Sequence, residues 1–273
     1  MSSDCYDSFC PIAKACDIIE PRWTLLILCE LSHGATRFNE IRRGIPGISP
    51  TLLSKRLKEM EHHGLVRRVE SDAGEPGYTT TAMAEELKPV VQALGKWAHR
   101  NIDREVSLEK LDARLLMWNM RRKIDTSAFR RGTTTVIQFT YPELTESERH
   151  YWLVARPGQP VDLCLLDPGR DVDLFIRADL KAMTSAWMGW STLRREIDAN
   201  AVVLIGDRKL IGTLDKWMVR SSYAGAPDHQ AAACASALQS VSVRSISCTI
   251  WRVEPVIDWS PSSHERRPRW MPI

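Results

Sequence analysis

The stretch ISPTLLSKRLKEMEHHG, residues 48 to 64, decides the fold that we expect for this chain. Ser49 offers a side-chain oxygen to the unbonded N–H groups of a first helical turn, and Pro50 fits the helical position where a missing N–H costs nothing. Gly64 tolerates the positive φ with which many helices end. The stretch predicts a helix that starts at Pro50 and stops before Gly64, with three apolar residues on one face at helical spacing: Leu53, Leu57 and Met60.

The other face of this helix is polar and basic, and it carries Thr51, Lys55, Lys58 and His62. Such a helix is either a solvated surface helix or the helix that reads DNA, and the neighbouring sequence favours the second. Upstream, RFNEIRRGIPG (37–47) predicts a short helix, with Phe38 and Ile41 inward, and then a Pro-Gly turn. Downstream, LVRRVE (65–70) and YTTT (78–81) predict the two strands of a hairpin, or wing.

The basic residues are concentrated in this region. The net charge of the whole 273-residue chain is only +3, so composition alone does not predict a nucleic-acid partner. Between residues 37 and 68, eight basic side chains stand against three acidic ones, a local balance of +5. A charge run is often only a solvated face, but its coincidence with a helix-turn-helix and a wing favours contact with phosphates.

A family resemblance follows from these residues. The stretch CPIAKACDIIEPRWTLLILCELSHGATRFNEIRRGIPGISPTLLSKRLKEMEHHGLVRR (10–68) resembles the HxlR-type winged-helix transcriptional regulators. The shared features are a Cys-Pro start, a Trp-Thr-Leu-Leu-Ile-Leu helix, an R-F-x-E-[IL] helix and a Ser-x-x-x-Leu-x-x-[RK]-Leu recognition helix. The resemblance extends to about residue 100 and implies a homodimer that binds DNA. The wing departs from the family, whose usual Pro-Pro-x-V-E-Y run is replaced here by GEPGYTTT.

The expected DNA contacts fall into two groups. Thr51 and Lys55, near the front of the recognition helix, are expected at base edges. Five basic residues are expected on phosphates: Arg42, Arg43, Lys58, Arg67 and Arg68. Arg37, Ser49 and Ser54 complete the set of predicted DNA-binding residues.

Seven cysteines form an odd set with neither a CxxC pair nor histidines at zinc spacing, so we expect no metal site. Cys16 and Cys29 lie in apolar helical patterns and fit a small core residue. Cys10 precedes Pro11 at a predicted helix start, where the helix dipole can lower a thiol pKa. Some members of the resembling family sense oxidants or electrophiles at this position, so Cys10 is either a redox sensor or an unreactive thiol.

Further helices are predicted on both sides of the helix-turn-helix. Residues 10–19 and 22–33 predict two helices, the second with these residues inward: Trp23, Leu26, Ile27 and Leu31. A longer helix is predicted from Met83 to about Arg104, kinked at Pro89. Its apolar stripe is too long for one small domain to cover, which indicates a partner surface; the stripe consists of Leu87, Val90, Val91, Leu94 and Trp97.

A second domain is predicted beyond the charged stretch 103–110. Its first element is a helix at 111–124. Four alternating segments then predict an antiparallel meander: 133–141, 149–156, 161–167 and 171–178. Helices at 179–189 and 191–198, a strand at 201–207 and a final helix at 208–219 complete an α+β domain.

This second half resembles the SCP2-like sterol-carrier fold. The resemblance spans residues 111 to about 220 and is most visible in DVDLFIRADLKAMTSAWMGWSTLRREIDANAVVLIGDRKLIGTLDKWM (171–218). It implies an apolar tunnel for a hydrophobic ligand. Large aromatic side chains can line such a pocket or simply fill a core; the predicted ligand-binding residues are Trp118, Trp152, Trp187, Met188, Trp190 and Trp217.

These patterns favour a regulator over an enzyme. No nucleophile elbow, phosphate-binding glycine loop or HExxH motif is present, so we expect no catalytic residues and no cofactor. The expected divisions are a DNA-binding and dimerisation domain (1–104), a ligand-binding domain (111–222) and an extension (223–273) whose end is basic and either solvated or in contact with DNA. We expect a cytoplasmic, dimeric repressor without a membrane span. The alternative is a hydrophobic-ligand carrier that uses the winged helix for protein association.

Overall fold

The helix predicted to start at Pro50 is present, and short helices and a hairpin flank it as the sequence predicts. The computed structural model describes residues 6–70 and 74–225. In the N-terminal half these form α1 (Pro11–Ile19), α2 (Thr24–Ser32), α3 (Phe38–Arg43), α4 (Pro50–His62), β1 (Val66–Glu70), β2 (Pro76–Thr80) and α5 (Ala82–Asn101). Strands β1 and β2 pair antiparallel, with Val66 opposite Thr80 and Glu70 opposite Pro76. A winged helix-turn-helix is therefore present.

The apolar stripe of α4 is the centre of the N-terminal core. Leu53, Leu57 and Met60 are buried and pack with Ile27 and Ile41. The hydroxyl of Ser49 accepts a hydrogen bond from the Leu52 N–H at 3.2 Å, as an N-cap residue does. In the turn before α4, Gly47 has a φ of +86°, which favours glycine. Ile45 and Ile48 on either side of it are buried, so the turn is held against the core.

Two expectations for the flanking helices are wrong. Leu26 does not face inward: its side chain is 52% exposed, since only one stripe of α2 can face the core and Ile27 occupies it. The long helix does not reach Arg104. It ends at Asn101 because Ile102 is extended, and α6 (Arg104–Leu108) starts after Asp103, whose carboxylate accepts from the Glu105 N–H.

The C-terminal half is a mixed helix-and-sheet structure. Its helices are α7 (Ala113–Arg121), α8 (Leu180–Met188), α9 (Leu193–Asp198), α10 (Arg208–Gly212) and α11 (Leu214–Trp217). Its strands are β3 (Thr135–Thr140), β4 (His150–Ala155), β5 (Asp162–Cys164), β6 (Leu174–Ala178) and β7 (Val202–Gly206). The predicted final helix at 208–219 is wrong as a single helix, because the backbone of Thr213 leaves the helical region between α10 and α11.

The strand order corrects the predicted meander. The five strands lie in the order β5-β4-β3-β6-β7. Only β3, β4 and β5 form a meander; β6 crosses over and pairs parallel with β3, and β7 pairs antiparallel with β6. Asp173 fixes this crossover, since its carboxylate accepts from the Val136 N–H at 2.8 Å and its carbonyl accepts from the Asp207 N–H at 2.8 Å.

Each half has its own hydrophobic core. The C-terminal core lies on the helix-covered face of the sheet and includes Phe139, Tyr151, Ile176 and Trp217. Trp217 is fully buried, and its Nε1–H donates to the Leu210 carbonyl at 2.8 Å. Both cores lie within one compact unit. The predicted extension at 223–273 falls outside the described residues except for residues 223–225.

Candidate nucleic-acid interface

The outer face of α4 presents the side chains that the helical pattern placed there. Thr51, Lys55, Lys58 and His62 are exposed, whereas the opposite stripe is buried. Ser54 is half-buried beside them. A 13-residue helix with one buried and one exposed face has the form that enters a major groove.

Several basic residues around α4 have acidic partners. Arg37 pairs with Glu75 of the wing at 2.7 Å, Arg68 pairs with Glu61 at 3.3 Å, and Lys55 lies 3.9 Å from Glu59. These ion pairs are largely exposed and contribute about 0 to 1 kcal/mol each, so a phosphate can replace the carboxylate at little cost. The remaining predicted phosphate contacts form no ion pair with any residue that the structure describes: Arg42, Arg43, Lys58 and Arg67.

Arg56 is basic but has a structural position. Its guanidinium pairs with Glu59 at 2.5 Å and donates to the Arg22 carbonyl at 3.1 Å. Its side chain is only 20% exposed. Arg56 therefore ties α4 to the segment before α2.

Cys10 is the N-cap residue of α1, so its thiol lies beside the first backbone N–H groups of that helix. The backbone N–H groups of Ala13 and Ile12 hold the pKa of the Cys10 thiol below its ordinary value. The other described cysteines include Cys29 and Cys164, whose thiol pKa values are raised by burial. Cys10 is thus distinguished from them by its position at a helix start.

A buried charge cluster links the two halves, and sequence reasoning missed it. Glu30 of α2 is 5% exposed and accepts from Arg122, at 3.1 and 2.5 Å, and from the Trp118 Nε1–H, at 3.1 Å. Arg121 lies over the Trp118 ring, 3.6 Å from its centroid. Burial, followed by repulsion from Arg122, lowers the pKa of Arg121. The available signal was a glutamate within the apolar helix TLLILCELS, since a buried carboxylate requires a partner.

This cluster touches the helix-turn-helix itself. A Cβ atom added to Gly44, directly after α3, would lie 1.8 Å from the Glu30 carboxylate. The turn between α3 and α4 therefore passes directly against Glu30. The carboxylate that bonds Arg122 and Trp118 therefore borders the segment that leads into α4.

The six residues predicted to bind a ligand occupy different places. Trp217 is in the C-terminal core, Trp152 lies on the opposite face of the sheet, and Trp118 lies in the charge cluster. Three do come together: Trp187, Met188 and Trp190 line a cleft of about 340 Å³ between α5 and α8. We call this the α5–α8 cleft. His99 of α5 stacks on Trp190 there, with 5.4 Å between the ring centroids.

The helices α1 and α5 leave large apolar side chains exposed. α1 has no buried residue, and α5 has one, Ala84, in 20 residues. Side chains at helical spacing on α5 are roughly half exposed and form one apolar face: Met83, Val90, Leu94 and Trp97. Phe9 and Ile12 near α1 are even more exposed. Within the described residues, no helix has the length and apolar character to cross a lipid bilayer.

Comparison with known proteins gives consistent matches. A family model described as HxlR-like helix-turn-helix matches residues 18–106. YvaP of Bacillus subtilis (strain 168), an uncharacterized HTH-type transcriptional regulator, is 38% identical over 97 residues, which cover 34% of this chain and 90% of YvaP. YtfH of Escherichia coli (strain K12), also an uncharacterized HTH-type transcriptional regulator, is 32% identical over 95 residues, covering 34% of this chain and 75% of YtfH. Among solved structures, the reduced form of the transcriptional regulator YodB from B. subtilis is 33% identical and covers 36% of this chain and 98% of YodB, with a TM-score of 0.32.

Proposed function

This chain belongs to the HxlR-like helix-turn-helix family, and on that premise we propose that it is a dimeric transcriptional regulator whose DNA affinity responds to a hydrophobic small molecule. As a member of a family of DNA-binding transcriptional regulators, it is not an enzyme. The observation that carries the proposal is the exposed polar and basic face of α4, beside a basic wing.

The proposed DNA contacts follow from the exposure of each side chain. Thr51 and Lys55 lie on the first turns of α4, where residues of a recognition helix reach base edges. Lys58, Arg67 and Arg68 lie farther along α4 and on β1, where a phosphate is the nearer partner. Arg37, Arg42 and Arg43 extend this basic surface along α3, and Ser49 and Ser54 add hydroxyl donors beside it.

The test is a pair of alanine substitutions with opposite expected effects. Lys55→Ala should change the preference among operator variants, because a base contact is lost, at a cost of about 1 to 3 kcal/mol on the preferred base pair. Arg67→Ala should weaken binding to all duplexes alike and reduce the slope of log K against log salt by about one unit. Both are measured by fluorescence anisotropy on the promoter next to the gene, with Arg56→Ala as a control for effects on folding.

Two outcomes separate the possibilities. Unchanged operator binding by Lys55→Ala would show that α4 does not read bases. Absence of binding to any duplex by the wild-type chain would favour the carrier alternative, in which the winged helix associates with protein.

We propose a homodimer formed through α1 and α5. Exposed apolar faces of this extent are rare on monomers and mark contact surfaces. A two-fold axis beside α5 would present two α4 helices to successive major grooves, about 34 Å apart on B-form DNA.

We propose that the C-terminal half is SCP2-like and that its ligand occupies the α5–α8 cleft. The support is a mixed sheet covered by helices on one face and a cleft lined by Trp187, Met188 and Trp190. A cleft of about 340 Å³ is within the range of small-ligand sites, which lie at roughly 300 to 1,000 Å³. Oxidation of Cys10 is proposed as a second input, supported by its lowered thiol pKa.

A further inference from the structure

A second, larger cleft adjoins the helix-turn-helix. Its volume is about 1060 Å³. One side is the end of α3 and the turn that leads into α4; the other is the start of α7 and the loop after β5. We call it the α3–α7 cleft. It shares Leu111 and Asp112 with the α5–α8 cleft, but Trp187, Met188 and Trp190 line only the latter.

The cleft is lined by three arginines and three carboxylates, so its formal charges balance, but the arginines without an ion pair to a described residue, Arg42 and Arg43, both lie on the α3 side. The carboxylates lie on the other side: Glu148 pairs with Arg114 at 3.2 Å, and Asp112 and Asp167 keep their charge while accepting from the Leu115 N–H at 2.9 Å and the Gly169 N–H at 2.8 Å. Arg42 and Arg43 line the same cleft, and neither forms an ion pair with a described residue. Two guanidinium groups are therefore available to an anion entering the cleft.

The opposite wall of the cleft contains an apolar stretch beside its charged residues. Leu163, Leu165 and Leu166 line it from β5 and the loop that follows. Leu165 is 48% exposed and Leu166 is 82% exposed, although each is a large aliphatic side chain. Trp118 also lines the cleft, with the Arg43 guanidinium 5.8 Å from its ring centroid. An apolar body and an anionic head would each find a matching surface here.

We propose that the α3–α7 cleft binds a small amphipathic anion, a carboxylate with an aliphatic or aromatic body, and that this ligand competes with DNA for Arg42 and Arg43. The carboxylate lies against these two guanidinium groups, and the apolar body lies along Leu165 and Leu166. Guanidinium groups pair well with planar carboxylates, which gives the site its preference for acids over alcohols.

The competition rests on the proposed function, because it requires Arg42 and Arg43 to bind phosphate in the DNA complex. Ligand binding itself does not. Residues Pro46 to Ile48 of the cleft immediately precede the N-cap of α4, so a bound molecule also borders the DNA-facing end of that helix. The anion therefore lowers DNA affinity both by occupying cationic groups and by its position.

The first experiment measures binding without DNA. Decanoate is titrated into the full chain by calorimetry, with 1-decanol as the uncharged probe. The double variant Leu165→Gln, Leu166→Gln should weaken decanoate binding about tenfold, because two apolar contacts are lost. The matched control is Ile205→Gln, which changes an equally apolar and 66% exposed side chain of β7 that does not line the cleft. The control should bind decanoate like the wild type.

A second variant tests the recognition of charge. Arg43→Gln should weaken decanoate and leave 1-decanol unchanged, because only the carboxylate loses a partner. Equal decanoate affinity in the leucine variant and the Ile205→Gln control would overturn the site. Equal loss of both probes in Arg43→Gln would overturn the proposed anion preference.

The competition is then measured with operator DNA. Decanoate should raise the dissociation constant for DNA in the wild type and have a much smaller effect in the leucine variant, which keeps all the basic residues. If decanoate binds the cleft and DNA affinity does not change, the competition is wrong. If the chain binds no DNA at all while the calorimetric pattern holds, the proposed function fails and the anion site stands.

Discussion

Glu30 of the N-terminal half forms a buried ion pair with Arg122 of the C-terminal half. Its carboxylate has a side-chain exposure of 7%, and that of Arg122 is 13%. A buried ion pair is not in itself strongly stabilising, because desolvation offsets the attraction. Loss of one partner is different, since it leaves the other charge buried without compensation. The pair therefore fixes the position of α7 against α2 more than it adds stability.

We expect each single substitution of this pair to be costly. Glu30→Gln and Arg122→Met should each lower the free energy of unfolding by about 3 to 5 kcal/mol, and the double variant should lose much less than the sum. Urea denaturation followed by tryptophan fluorescence measures all three values. An exposed pair, Arg194 and Asp198 on α9, supplies the control, and its cycle should give an interaction energy of under about 1 kcal/mol. Additive effects at Glu30 and Arg122 would show that the two side chains do not depend on each other.

The pKa of Cys10 leads to a prediction at the same scale. Since the lowered pKa leaves more thiolate at neutral pH, the alkylation rate of Cys10 should rise at lower pH than that of Cys164, whose pKa is raised. The rate should level off once the pH exceeds the pKa of each thiol. Site-resolved alkylation with iodoacetamide, read by mass spectrometry between pH 6 and 10, measures both curves.

Two further results bear on Cys10. Cys10→Ser should keep DNA affinity in reductant and lose any response to diamide. Coincident alkylation curves for Cys10 and Cys164 would remove the physical basis for a sensor, and an unaltered diamide response in Cys10→Ser would place the sensor elsewhere.

The residue scale also shows what a single sequence can reveal. The outer face of α4 could be predicted because helical periodicity alone decides which side chains lie opposite Leu53, Leu57 and Met60. The role of Trp118 could not, because its partner Glu30 is 88 residues away in the chain. A tryptophan count predicts aromatic surface, and only the tertiary structure shows whether that surface faces a cleft, a core or a charge cluster.

At the scale of elements, α5 has an exposed apolar face and a second face that lines a cleft. Met83, Val90, Leu94 and Trp97 form the exposed apolar face, and Gly95, Ala98 and His99 line the α5–α8 cleft about 100° around the helix. Gly95 allows the close approach on the second face, because a Cβ atom there would lie 2.6 Å from the Tyr223 ring. One helix therefore contacts both the proposed dimer partner and the proposed ligand site.

The apolar face of α5 gives a prediction about assembly. Leu94→Glu should raise the dimer dissociation constant at least about tenfold, because a charge would be buried in an apolar contact. Gln92→Glu is the matched control, since it adds the same charge to an exposed position of the same helix but away from that face. Sedimentation velocity over a range of concentrations measures both. Indistinguishable behaviour of Leu94→Glu and Gln92→Glu would exclude this face as the dimer contact.

Elements and their order were largely predictable, but their pairing was not. Alternating hydrophobicity located the strands of the C-terminal half, and the wing followed from two strand-like segments separated by residue types common in turns. The parallel pairing of β6 with β3 depends on a crossover and on Asp173, which bonds backbone groups of Val136 and Asp207. Such contacts join segments more than 30 residues apart, and no local pattern specifies them. Because alternating hydrophobicity carries no information on strand pairing, it led to the prediction of a simple antiparallel meander.

At the scale of the whole described unit, three connections lead from the C-terminal half to the helix-turn-helix. These are the Glu30 cluster, the α3–α7 cleft and the contact of α5 with the α5–α8 cleft. A ligand can change DNA affinity only if it binds better to one arrangement of these connections than to another. The proposed anion competes directly for basic residues. An uncharged ligand in the α5–α8 cleft would instead act through the position of α5.

The last prediction tests this second route by reciprocity. Suppose that an uncharged apolar ligand changes the affinity for operator DNA by a given factor. Operator DNA must then change the affinity for that ligand by the same factor, which is typically roughly 5- to 150-fold. We expect 1-dodecanol to bind the full chain, to quench tryptophan fluorescence and to weaken operator binding. Trp190→Ala, which removes the ring stacked on His99, should strongly reduce both effects, whereas the double variant Leu165→Gln, Leu166→Gln in the α3–α7 cleft should not. Trp152→Ala, on the other face of the sheet, should abolish neither.

Dodecanol affinity is then measured with and without saturating operator. Equal dodecanol affinities in the two conditions would show that the α5–α8 cleft and the DNA interface are not coupled, even if the ligand binds where we propose.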